Sequence, residues 1–188
     1  MTDRKPVIER RITAIDAQME AKAATPWATA RDRLETHEPD RTYWLATVRP
    51  DGGPHLVPIL GLFAAGAFYF VAGETTRKGI NLAGNPRCAI AVSSIVLPSL
   101  DIVIEGDTRK VTGEAALRRV ADAYKAKMAW PLEPRGEGVF GPNAPTAGPP
   151  PYAVYELTPT TVFGFPGVTG MAEKDGPANA FGPTRWRF

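Results

Sequence analysis

Thr75-Thr76-Arg77-Lys78-Gly79 brings two hydroxyls and two cations to the start of a short apolar-periodic segment, a combination that can hold an anion. The spacing of Ile80, Leu82 and Ala83 predicts a helix over 77–84 with one buried side. Thr75 or Thr76 can cap it, because a hydroxyl accepts a bond from an otherwise orphan backbone N–H. Gly84-Asn85-Pro86 predicts the stop: Gly or Asn takes a left-handed cap, and Pro cannot continue the helix. Arg77 and Lys78 then stand in the first turn, at the positive end of the helix dipole, where an exposed cation is unfavourable by roughly 0.3–1 kcal/mol. An anion reverses that sign, since free N–H groups, hydroxyls and cations together make a phosphate site. A solvated pair of surface charges is the other reading of the same residues.

The flanking segments predict strands. Tyr43-Trp44-Leu45-Ala46-Thr47-Val48 alternates like a strand, and residues 49–54 read as a hairpin turn because Asp51-Gly52 supplies positive φ angles. Strands follow over 55–63 and 67–73, parted by a turn at Ala64-Ala65-Gly66-Ala67, then over 87–94 and from Ile102 to Val111. One long final strand or two cover 152–157 and 161–165. Leu117, Val120, Ala121, Tyr124 and Met128 share a helical face over 114–129. Ile8, Ile12, Ile15 and Met19 predict an amphipathic helix over 6–22, and a second short helix is possible through Arg31-Asp32-Arg33-Leu34. Residues 131–151, rich in Pro and Gly, read as a binding loop, a lid or a disordered stretch. Strands in hairpin order with few helices indicate a mostly-β (α+β), six-stranded antiparallel barrel with flanking helices. The expected organisation is one domain over 1–188: a helical extension to 36, a barrel over 37–166 and a tail over 167–188.

Bulk composition narrows the function classes. A chain of 188 residues with 22 basic and 20 acidic side chains carries a net charge of only +2, which argues against a nucleic-acid partner. The lone Cys88 excludes an intramolecular disulfide and reads as a buried, inert thiol. One cysteine and two histidines, His37 and His55, argue against a zinc cluster, so no metal is expected. The charged start Met-Thr-Asp-Arg-Lys-Pro leads to no signal-peptide hydrophobic region, which makes the cytoplasm the expected compartment. Residues 56–73 are uncharged and about as long as a membrane helix. Pro58, Gly61, Gly66 and the run Phe68-Tyr69-Phe70-Val71 suit two buried antiparallel strands better than a membrane span.

Three ordered segments carry a family resemblance. Ala46-Thr47-Val48-Arg49-Pro50-Asp51-Gly52-Gly53-Pro54 resembles the first hairpin of the pyridoxamine-phosphate-oxidase-like split barrels. Thr76-Arg77-Lys78-Gly79, followed by Leu82 and Asn85-Pro86, resembles that family's Ser-Arg-Lys-Gly…Leu…Asn-Pro motif, and Ile104-Glu105-Gly106 its next strand. The family binds FMN, or in actinobacterial branches the deazaflavin coenzyme F420, across a homodimer interface. The resemblance, covering about residues 40–125, therefore implies a split barrel whose Thr76, Arg77 and Lys78 hold the cofactor phosphate, with Thr75 beside them as a further cofactor-binding candidate. It implies that Leu56, Val57, Pro58 and Ile59 lie along the ring system. Trp186, in the ending Thr184-Arg185-Trp186-Arg187-Phe188, either stacks on the ring or plugs a groove of its own barrel.

Departures from the family pattern are equally informative. Val57 stands where the oxidases carry a phosphate-binding arginine, Leu62 where they carry a substrate lysine, and Asp101 where they carry a flavin-contacting glutamine. The oxidases' C-terminal Arg-x-His is missing. The resemblance thus implies a flavin- or deazaflavin-dependent oxidoreductase acting on a small unsaturated substrate, and argues against pyridoxamine-phosphate oxidation itself. In such an enzyme the ring carries the hydride and no dedicated acid–base residue is required. A non-catalytic cofactor- or haem-binding protein of the same fold is the alternative.

Overall fold

The computed structural model describes residues 5–11, 22–36, 41–93, 99–142, 144–166 and 181–188. Nine strands form one sheet: β1 (Val7–Arg11), β3 (Tyr43–Val48), β4 (Pro54–Ile59), β5 (Gly61–Ala64), β6 (Ala67–Ala72), β7 (Arg87–Val92), β8 (Leu100–Lys110), β11 (Ala153–Pro166) and β13 (Thr184–Arg187). Two small pairs lie apart from it, β9 (Glu133–Arg135) with β10 (Gly138–Phe140), and β2 (Ala23–Ala24) with β12 (Phe181–Gly182). The helices are α1 (Trp27–Glu35), α2 (Arg77–Gly84) and α3 (Glu114–Met128).

All ladders of the large sheet are antiparallel, in the order β1-β13-β11-β8-β7-β3-β4, with β6 also on β11 and β5 on β6. Among the described residues no ladder joins β4 to a second neighbour, so the hydrogen-bonded ring of a barrel is not complete. The fold is mostly β, as expected, but its sheet is open and has nine strands rather than six. The predicted strand over 55–63 is two strands: the chain turns off β3 after Ile59, leaves Leu60 exposed, and re-enters as β5 against β6.

The β6 strand is the centre of the molecule because both of its faces are buried. Phe68, Phe70 and Ala72 join the cluster of Leu45, Ile90, Ile104 and α1's Ala30 and Leu34. Ala67, Tyr69 and Val71 face the other way, into the cluster of Leu117, Val120 and Tyr124 from α3. A continuous apolar run is what a doubly covered strand needs. The same cluster takes in Trp130, Leu132, Val139, Ala144, Ala147 and Tyr152, so residues from the 131–151 segment are anchored rather than loose.

The predicted N-terminal helix is not found over Val7–Arg11, which pairs as a strand with β13; residues 12–21 of that prediction lie outside the described residues. An unpaired strand edge offers hydrogen bonds that outweigh a helical hydrophobic pattern, and Val7 and Ile8 suit a strand. β13 itself lies beyond the expected barrel limits and carries Trp186 into the core, fully buried. There the indole meets Trp27 edge-on at 5.6 Å. Gly164 makes room for it, since a Cβ at that position would lie 2.6 Å from the indole. Trp186→Ala is expected to lower unfolding free energy by about 3–5 kcal/mol, the usual loss for a buried large aromatic. Urea denaturation measures it, and a loss below about 1 kcal/mol would place the indole outside the core.

Candidate functional site

The α2 start forms as its sequence predicts. Thr76 is the N-cap, its hydroxyl oxygen accepting from the Gly79 N–H at 3.3 Å and donating to the Gly73 carbonyl at 2.7 Å. Gly79 is needed because a Cβ there would lie 2.5 Å from the Gly73 carbonyl oxygen. The helix ends differently from expectation: Asn85 is extended, at φ −145°, and its side-chain oxygen accepts from the Arg87 N–H. Pro86 still ends the helix, so a left-handed cap is not required.

One turn along, a polar chain runs from α2 into the sheet. Asn81 is buried and its Nδ2 donates to Thr47 Oγ1 at 2.9 Å, while Thr47 Oγ1 lies 3.3 Å from His55 Nδ1. Because that hydroxyl accepts from Asn81, its own proton is free to go to Nδ1. The other face of Asn81 is unmatched, since Oδ1 is buried with no hydrogen-bond partner among the described residues.

Positive charge converges on the same place. Burial holds the His55 imidazole below its usual range, and Arg49, Lys78 and Arg77 push it the same way. Lys78 is only 2% exposed, and burial alone lowers its ammonium to about 8. Among the described residues neither Arg77 nor Lys78 has an ion-pair partner. A buried ammonium without a carboxylate is poorly compensated and favours an anion at its tip.

The segment 144–149 covers that tip. Lys78 Nζ donates to the Thr146 carbonyl, the Thr146 hydroxyl donates to the Pro58 carbonyl at 2.8 Å, and the Gly73 N–H donates to the Ala147 carbonyl at 2.8 Å. The cap and the cations fit the electrostatics of a phosphate-bearing cofactor, whereas the unmatched Asn81 oxygen is an acceptor and calls for a donor. Access for its phosphate to Lys78 requires the Thr146 carbonyl to give way.

Residues 29–165 match the model of the pyridoxamine 5'-phosphate oxidase family. The chain belongs to that family. It is 32% identical over 142 residues to a pyridoxine/pyridoxamine 5'-phosphate oxidase of Cupriavidus necator, a match spanning 63% of each chain, so it covers less than two thirds of that relative. Solved structures share the fold. An F420 reductase aligns over 70% of this chain and 94% of its own at 20% identity, with a TM-score of 0.50. A conserved hypothetical protein of Mycobacterium tuberculosis aligns over 76% and 85% at 18% identity, with a TM-score of 0.55. A haem-binding protein of Mycobacterium smegmatis aligns over 79% and 57% at 18% identity, with a TM-score of 0.51.

Within this pyridoxamine 5'-phosphate oxidase fold, the residues singled out from sequence separate into groups. Thr76, Lys78 and the β4 wall meet through the 144–149 segment, while Thr75 and Arg77 are exposed beside them. The wall is two-faced: Val57 and Ile59 pair in register with the inward Leu45 and Tyr43, whereas Leu56 and Pro58 pair with the outward Ala46 and Trp44. Val57 packs on the core, and Leu62 is buried in the α3 cluster, so neither position presents a polar group. The stacking role for Trp186 is corrected, because a fully buried indole already filled by core contacts offers no face to a cofactor. Lys110 pairs with Glu74, and Asp101 is exposed at the start of β8.

Sequence reasoning missed Asn81, Thr47 and Thr146 as site residues. A polar residue at an inward position of β3 was the available signal for Thr47. Nothing local points to Thr146, whose partner lies 68 residues away. No helix among the described residues is long and apolar enough to cross a membrane.

Lys78 also makes a stability prediction. Its folded value of about 8 lies below the ordinary 10.5, so between these values the unfolded chain binds more protons and stability rises with pH. Denaturant unfolding of wild type and Lys78→Met at about pH 7.5 and about pH 9.5 should show a more positive slope in wild type, the contributions of Lys127 and Cys88 being common to both, and equal slopes would contradict a buried, charge-bearing Lys78.

Proposed function

We propose that this chain is an oxidoreductase that holds coenzyme F420 or FMN by its phosphate at Thr76-Arg77-Lys78 and passes a hydride to a small unsaturated substrate. The bound ring supplies the hydride chemistry, and the chain supplies grip, orientation and exclusion of water. Thr76 and the first turn of α2 orient the phosphate, Arg77 and Lys78 neutralise it, and the β4 wall lies along the ring. The observation that carries this reading is the convergence of Arg49, Arg77 and Lys78 beside a capped helix start, in a chain of this family.

A homodimer with the cofactor at its interface is part of the proposal. The outer face of β3 and β4 supports it, with Trp44 43% exposed, Leu56 62% exposed and Val48 also exposed. A cavity of about 580 Å³ on this face is lined by Val48, Pro54, Ala89, Arg87 and Glu105 among others. Such contiguous apolar surface commonly marks an interaction site. Pyridoxamine-phosphate oxidation is disfavoured, because Val57 and Leu62 stand where the resemblance places that activity's basic residues.

Purifying the protein and identifying its released chromophore by visible spectrum and mass tests the reading. The expected result is F420 or FMN, with Lys78→Ala weakening its binding by about 1.5–3 kcal/mol, or roughly 10- to 150-fold. Bound haem, or no uptake of either cofactor, would instead favour a non-catalytic binding protein.

A further inference from the structure

We propose that residues 144–149 form a displaceable cover on the anion site, with the Thr146 carbonyl holding Lys78 until a phosphate takes its place. The inference rests on the reading of the α2 start as a phosphate site and adds how that site is controlled. Lys78 has three N–H donors and, among the described residues, one hydrogen-bond partner, the neutral Thr146 carbonyl. A phosphate oxygen is the stronger acceptor for an ammonium, since it brings a full opposite charge where the carbonyl brings only a dipole.

The cover reaches both places that a phosphate-bearing cofactor would need. Its Thr146 carbonyl sits on the cation, and its Thr146 hydroxyl bonds the Pro58 carbonyl of the β4 wall. Ala147 ties it to Gly73, immediately ahead of the Thr76 cap. Gly148, at φ +76°, lies so close that a Cβ would be 3.0 Å from Thr76 Cγ2. The segment closes on itself through the Ala144–Gly148 bridge and the bond from the Ala147 N–H to the Ala144 carbonyl, and the buried Ala144 and Ala147 back it against the α3 cluster. Its hydrogen bonds to the site are the Lys78, Pro58 and Gly73 contacts, and no large-sheet ladder runs through it, so it can shift on the site without unfolding the sheet. A ligand that binds only the open form has its apparent affinity reduced by the open fraction. Loosening the cover therefore tightens anion binding.

The test uses inorganic phosphate as the probe on the full chain. Amide hydrogen exchange of wild type, at matched ionic strength, should show the Gly73 N–H, which donates to the Ala147 carbonyl, losing protection as phosphate saturates. Thr146→Val removes the tie to Pro58 and should raise apparent phosphate affinity about 2- to 10-fold, as one lost hydrogen bond implies. If phosphate binds but Gly73 stays protected, the cover is refuted while the anion site stands. Release of protection that persists in Lys78→Met would equally refute exchange at Lys78. If phosphate does not bind wild type or Thr146→Val, the anion site and its cover both fall. The exchange experiment on wild type decides the matter even where the valine variant does not fold.

Discussion

The structure around α2 depends on one constraint: an ammonium has been taken out of water without a carboxylate to meet it. Lys78 is buried, its pKa is lowered by that burial, and Arg77 and Arg49 add charge of the same sign nearby. A cluster of like charges at the positive end of a helix is self-consistent only when something negative or strongly dipolar faces it. In this molecule the Thr146 carbonyl faces it, and that contact draws residues 144–149 onto the helix start and the β4 wall.

The remainder of the fold reads as the support for that arrangement. With both faces covered, β6 fixes Gly73, which follows it directly, and Gly73 receives the Thr76 hydroxyl and donates to Ala147. β3 brings Thr47 under α2 to meet Asn81, and β4 carries His55 beside it. Ala144 and Ala147 of the covering segment pack into the α3 cluster. The site thus joins a helix, two strands and a loop that are scattered in sequence and meet only in the packed sheet.

Local chemistry made much of this legible in the sequence. The α2 limits, its Thr76 cap, the Asp51-Gly52 hairpin and the α3 face follow from signals within a few residues, and the structure has them where the spacing puts them. Distant partners were not legible. Val7–Arg11 has a helical pattern but pairs with a strand almost 180 positions away, and pairing at a sheet edge overrode the pattern. Trp186 has the composition of a stacking residue, yet Gly164 and Trp27 prepared a socket for it in the core. The extra strands and the open sheet likewise depend on long-range ladders that no local spacing encodes. Thr146 belongs to the same class, a threonine in a Pro/Gly-rich stretch whose meaning comes entirely from Lys78.

The most direct check is the pKa of His55, measured by NMR with and without sulfate at constant ionic strength. Sulfate does not titrate in this range. His55 lies low because it is partly buried and because Arg49, Lys78 and Arg77 face it. An anion on those cations cancels part of their field, so the His55 pKa should rise on sulfate binding. A His55 value that does not move at saturating sulfate would contradict an anion site at the start of α2.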